Sequence, residues 1–316
     1  MRPPSASTCG WITLGVVAAA CVLSLPWTLG AYDLQRVEVA GKLLAPPSLA
    51  EPFGTDALGR SVLARCLLGG AISLGIGLAA ALLAVLLGTA WGLVAGYAGG
   101  KVDAVMMRLV DVLYGLPYLL MVVLLGLAVA GVVAGVDGWG LAQEEAAEAA
   151  GLPAEPWFFV AFVREQRDLV GLLTLVVALG GVSWLTMARV VRGQTLSIRR
   201  RPFIEATRAL GLPLPRVLLR HVLPHLAGPV VVYATLAVPT AILQESFLSF
   251  LGIGVRAPLP SWGNLAAEGV AELGALAIPG LAVAWWLPLF PCGLLGVTLL
   301  GLNLAGDGLQ SSASRG

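Results

Sequence analysis

Few side chains in this sequence could do chemistry, and each candidate falls short of a requirement. Lysine stands only at Lys42 and Lys101. Lys101 follows two glycines, but Val102 comes next where a phosphate-binding loop needs Ser or Thr, and Ala95 replaces that loop's first glycine. No nucleotide-cradling loop is therefore expected. His221 and His225 have the i,i+4 spacing of a zinc motif, yet only Val222, Leu223 and Pro224 lie between them. No carboxylate sits there to act as a base, and Pro224 disturbs the helix that the spacing needs, so a metal site is not expected. No GxSxG and no supported Ser-His-Asp order occurs. Cys9, Cys21, Cys66 and Cys292 are scattered without CxxC spacing, and read as small apolar fillers. The chain is not expected to catalyse a reaction or to bind a cofactor by itself.

The elements that carry these residues are set by hydropathy. Of 316 residues, 58% are hydrophobic and 12% charged, with mean hydropathy +0.89. Soluble domains carry about 25% charged residues, and several uncharged runs here exceed the ~20 residues that cross a bilayer as a helix. An all-α, polytopic membrane protein follows. A net charge of +1 implies no bulk attraction to nucleic acid. Six spans are predicted, at about 11–31, 71–97, 112–134, 169–188, 226–248 and 285–306. AAAC, ending at Cys21, has the cysteine of a lipoprotein cleavage site. Ala18 stands where a larger aliphatic is usual, so an uncleaved first span is expected. The stretch 272–284 is apolar but short and interrupted by Pro279, which suits an interfacial or re-entrant piece better than a crossing.

Orientation follows the Lys/Arg bias. Arg189, Arg192, Arg199, Arg200, Arg201, Arg208, Arg216 and Arg220 crowd the connection between spans four and five. That side is cytoplasmic by the rule, giving an N-in/C-in topology. The external connection 135–168 is acidic, and LAQEEAAEAAG within it predicts a short solvated helix. Arg108 and Asp111 have the spacing of a local ion pair, and Asp56 and Arg60 that of a second one. Only one charged residue, Glu245, lies inside a predicted span, near its outer end. Intramembrane carboxylates are costly and usually functional. A carrier driven by protons or ions generally needs a relay of them.

The arginine-rich connection has its own local grammar. Pro202 suits a first helical turn, and Glu205 near that end favours the helix dipole. Gly211 can end the helix at positive φ, and Pro213 and Pro215 break the chain before a second helix that runs through Pro224 into the membrane. Phe203, Ala206 and Leu210 give the first helix an apolar stripe. A short, rigid helix–turn–helix with small residues suits insertion into a groove on another protein.

This stretch resembles the EAA loop of ABC importer permeases. Glu205-Ala206-Thr207, Gly211 and Leu223-Pro224 match its spacing, with Thr207 replacing the second alanine. FGTDALGRSVLARCLLGGAISLGIGL, GYAGGKVDAVMMRLVDVLYGLP and ESFLSFLGIGVRAPLPSWG are similar to the C-type permease of dipeptide, oligopeptide and nickel importers. The resemblance covers most of 53–310 in the family's order, although the connection 135–168 and the stretch 270–285 look longer than usual, and His225 stands where asparagine is common. It implies a type I importer permease fold in a bacterial or archaeal cytoplasmic membrane. The organisation would be an N-terminal helix with an external segment (1–70), a permease core (71–310) with the EAA loop at about 199–224, and a short tail (311–316). It further implies a homologous B-type permease, two ATPase subunits that use ATP and Mg2+, and an external solute-binding protein as partners. Phe203, Glu205, Ala206, Thr207, Arg208, Gly211, Leu223 and Pro224 would form the ATPase-coupling loop. Gly252, Gly254, Pro260 and Trp262 would belong to a loop facing the binding protein. The competing reading is a self-contained secondary carrier or channel.

Overall fold

A computed structural model of the chain describes residues 6–38, 41, 43–149, 158–275 and 284–313. Among these every regular element is helical: α1 (Ala6–Leu23), α2 (Leu25–Ala31), α3 (Val62–Ala98), α4 (Gly100–Tyr114), α5 (Tyr118–Ala149) and α6 (Phe158–Glu165). Then follow α7 (Arg167–Arg199), α8 (Pro202–Ala209), α9 (Leu214–Val217), α10 (Leu223–Phe250), α11 (Trp262–Ala275) and α12 (Trp286–Ala313). Five helical stretches are long and apolar enough to cross a bilayer, and α1 with α2, bent by 56°, makes a sixth as one broken span. The bend falls at Ser24, just before Pro26, whose ring cannot continue the hydrogen-bond ladder.

Three expected boundaries move. The third span begins at Tyr118 rather than near 112, because Gly115 and Pro117 break the chain and Gly100–Tyr114 forms a separate amphipathic helix. The short external helix is instead the continuation of α5, which runs unbroken to Ala149 because Ala, Gln and Glu prolong an existing helix without a nucleation cost. The second span starts early, at Val62, so that residue 70 lies inside a helix. The stretch 272–284, expected to be interfacial or re-entrant, begins within α11 and otherwise lies mostly outside the described residues.

The core is the crossing of α3, α5, α7 and α10, where Ile76, Ala80, Val122, Leu179, Val182 and Ala241 are buried together. Hydrophobicity does not drive helix association inside lipid, so close packing must. Gly88, Gly92 and Gly96 repeat at four-residue spacing on the α3 face against α7. A Cβ at Gly92 would stand 2.5 Å from the Ala188 carbonyl oxygen, and one at Gly96 would stand 2.7 Å from Thr195 Cβ. Backbone contact there leaves no room for a methyl group. On the other flank α1 packs on α12, with Gly10 equally close to Gly301 and Ala305.

Candidate functional site: the arginine-rich loop and the outer loop

α7 extends past its predicted end to Arg199, and the chain then turns through Arg200 and Arg201 into α8. Pro202 opens α8, where its missing N–H has no partner to lose. Gly211 has φ +69° and closes the helix. The Leu212 N–H reaches back to the Thr207 carbonyl at 3.2 Å, the long bond of a glycine-terminated helix end. Pro213 is extended (ψ 143°) and starts the four-residue α9. The chain then enters α10 through a π-helical turn, Leu218–Val222. That widened turn comes directly before Pro224, which lacks the N–H that a regular ladder needs.

The structure divides the predicted loop residues between two faces of α8. Ile204 is fully buried among Leu93, Val191, Ile198, Val217, Val222 and Leu226. Thr207 is also buried, its hydroxyl donating to the Ile204 carbonyl at 2.7 Å. Phe203 turns inward and stacks on His225 at 4.7 Å and 25°. The predicted stripe Phe203–Ala206–Leu210 therefore does not form one surface, because Phe203 anchors the helix to its own chain. Glu205, Ala206, Ala209 and Leu210 face outward, with Leu210 77% exposed. Arg208 lies on α8 by its backbone, Leu223 is half-buried, and Pro224 is exposed. Sequence reasoning missed Ile204. Its i,i+3 spacing to Thr207, which puts both on one face of the helix, was the available signal.

Two arginines of α7 tie this region to α4. Arg192 makes a bidentate pair with the buried Asp103, Nε at 2.8 Å and Nη2 at 2.6 Å. Arg189 bonds Asp111 at 2.9 Å and lies 3.9 Å above the Tyr114 ring. The expected local pair is thus replaced: Asp111 pairs with Arg189 across helices rather than with Arg108 on its own. Turning Asp111 toward α7 gives it a guanidinium that also stacks on an aromatic face. His225 Nδ1 lies 2.7 Å from the His221 carbonyl oxygen, so the two histidines meet through one backbone group rather than as paired ligands. No cluster of three metal-ligating side chains occurs among the described residues.

On the opposite side the Asp56–Arg60 pair forms at 2.7 Å, inside a larger network than expected. Arg65 bonds Asp56 at 2.9 Å and both carboxylate oxygens of Glu268 at 2.6 and 3.0 Å, tying the external segment to α3 and α11. In the following loop Gly252 is exposed at φ +78°, while Gly254 sits against Ser249. Pro260 and Trp262, expected to face a partner, are buried instead. The Trp262 indole N–H donates to the Cys66 carbonyl at 3.0 Å, which a ring turned outward could not do. A cavity of about 620 Å³ opens between α5, α7 and this loop, lined by Val122, Leu127, Leu175 and Ala178 with Asp168 and Arg256 among its polar residues.

A multi-helix membrane component with a rigid arginine-rich loop on one face and a shaped loop on the other is the class these features define. Residues 88–311 match the family "Binding-protein-dependent transport system inner membrane component", and the chain belongs to that family, in its dipeptide/oligopeptide permease branch of ABC importers. The oligopeptide transport system permease protein OppC of Bacillus subtilis is 38% identical over 267 residues, spanning 84% of this chain and 72% of that protein. The dipeptide transport system permease protein DppC of the same organism is 38% identical over 267 residues, spanning 84% and 69%. OppC of Escherichia coli is 43% identical over 260 residues, spanning 82% and 70%.

Proposed function

We propose that this chain is the C-type permease subunit of an ATP-driven importer of di- or oligopeptides in a bacterial or archaeal cytoplasmic membrane. It forms the translocation path with a homologous B-type permease, receives substrate from a solute-binding protein, and is driven by two separate ATPase subunits that use ATP and Mg2+. The observation that carries this reading is the two-faced α8. Ile204 and Phe203 lock the helix to the chain's own core while Glu205, Ala206, Ala209 and Leu210 stand free to enter a groove. The small side chains permit close approach, and Glu205 supplies an orienting carboxylate. Because α8 is anchored among residues of α3, α7 and α10, a displacement of the ATPase surface moves those spans as well. ATP binding closes the ATPases and turns the path outward, and hydrolysis resets it. The N-terminal helix and external segment precede a permease core that opens with α3 at Val62 and closes with α12, so the expected boundaries at 70 and 310 fall inside helices.

The test is reconstitution with the neighbouring permease, ATPases and binding protein, comparing wild type with Gly211→Pro. Proline fixes φ near −65°, opposite in sign to the +69° observed, so the turn after α8 cannot form. Stimulated ATP hydrolysis in wild type that is lost in a membrane-inserted mutant supports the reading. A chain that never associates with an ATPase, or a mutant that couples normally, refutes it in favour of a self-contained carrier.

A further inference from the structure

Glu245 lies near the outer end of α10 and has no exposed surface. It forms no ion pair among the described residues. Four hydroxyls surround it instead. Ser249 Oγ donates to one carboxylate oxygen at 2.7 Å and Ser246 Oγ to the other at 3.2 Å. Ser73 of α3 and Ser261, just before α11, also lie close to it. Three separate segments therefore converge on one carboxylate.

Glu245 is the acceptor in both of these bonds, so Ser249 and Ser246 each spend their single hydrogen on it and keep their lone pairs for other donors. Those lone pairs are used by the loop. Ser249 Oγ accepts the Val255 backbone N–H at 3.0 Å, and Ser73 Oγ accepts the Trp262 N–H at 3.3 Å. Asn264 joins the same set: its side-chain oxygen accepts the Ser261 N–H at 2.7 Å, and its amide donates to the Val255 and Leu259 carbonyls at 3.3 and 2.9 Å. The loop 251–261 is thus pinned at its middle and its end. Around these points Leu251, Ile253, Arg256, Ala257 and Pro258 remain exposed, and residues 253–257 wall the outer cavity.

We propose that Glu245 is a positioning residue: by fixing the polarity of this serine network it holds the outer loop in the shape that receives the solute-binding protein. The inference rests on the importer reading above. A buried carboxylate is a costly way to fill a core position, and orienting the Ser249 and Ser246 hydroxyls gives it a role that an apolar side chain could not perform.

The reconstituted complex provides the test, with binding protein titrated against Glu245→Ala, Glu245→Gln and Ser249→Ala. The binding-protein concentration for half-maximal ATPase stimulation is expected to rise about tenfold in Glu245→Ala and Ser249→Ala, with the maximal rate near wild type. Glu245→Gln keeps the size but donates from its amide, and should fall between them and wild type. If Glu245→Ala does not assemble, the other two variants decide. A lowered maximal rate or yield at unchanged half-saturation in the assembled variants overturns the inference, and so does wild-type behaviour in all of them. No stimulation in wild type would overturn the importer reading itself, and the inference with it.

Discussion

The most consequential residue for holding the coupling helix is one with no polar chemistry. Ile204 is fully buried, and its truncation removes a side chain from the contact between α8, α7 and α3. Ile204→Ala is expected to destabilise the folded permease by about 2–5 kcal/mol. Thermal unfolding of the purified permease pair checks this, and a change under 1 kcal/mol would contradict the packing. Arg164 makes a different case. Its guanidinium bonds Asp137 at 2.5 Å and Glu144 at 2.7 Å, joining α6 to the outer end of α5. The Asp137 hydrogen bond is the leading influence that holds its pKa above the ordinary arginine value, with the Glu144 hydrogen bond and both charges adding to it. A raised pKa gives a contribution that is complete below the unfolded value and lost only as pH climbs through the folded one. Both lie far above neutrality, so alkalinisation across the neutral range should leave the α5–α6 contact intact. Arg164→Gln should instead loosen it at every such pH, seen as faster amide exchange in residues 158–165. Equal exchange in the variant and the wild type would remove the clamp from the account.

At the scale of elements, α3, α4 and α7 behave as one body. The glycine face of α3 permits backbone contact with α7, and the Arg192–Asp103 and Arg189–Asp111 pairs bring in α4. Gly92→Ala should force the two long helices apart at a cost of about 1–3 kcal/mol. Gly75→Ala, on the same helix but with nothing within 4 Å of the added methyl, should be neutral or slightly stabilising. Matched melts of the two variants settle the comparison, and equal Tm values would argue against the glycine face. The Asp103 pair carries a second expectation. Arg192→Ala leaves a carboxylate without its partner at a site that is only 10% exposed, which should cost on the order of 2 kcal/mol, less than a fully buried pair because Arg192 is 36% exposed. Exchanging the two residues should recover part of that loss, whereas no recovery would mean that the site tolerates only this polarity.

For the whole molecule the decisive features are what it leaves exposed and on which side. α5 presents Leu120, Leu124 and Val132 outward, surface for lipid or a second permease to cover. The charge bias assigns α8 and α9 to the cytoplasm and the outer end of α5 to the exterior. Single cysteines at Arg216 and Glu145, both exposed, provide the check once the exposed Cys9 and Cys292 are replaced. An impermeant thiol reagent added to intact cells should label Glu145→Cys and spare Arg216→Cys. The opposite pattern would invert the topology and place the proposed coupling loop beyond reach of any cytoplasmic ATPase.

Composition and local chemistry alone determined that the chain is helical and membrane-spanning, that its arginines are concentrated on one side, and that Pro202, Gly211 and Pro213 bound a short helix. Those features depend on the bilayer's demand for internal backbone hydrogen bonds and on φ preferences, both readable residue by residue. The Asp56–Arg60 pair was legible for the same reason, being four residues apart. Tertiary structure alone decided which side of α8 is anchored, that Asp111 meets Arg189 across helices, that Trp262 turns inward, and that serines of three segments gather around Glu245. Each of these depends on which helix faces which, and partners separated by dozens of residues leave no periodic mark in the sequence that joins them.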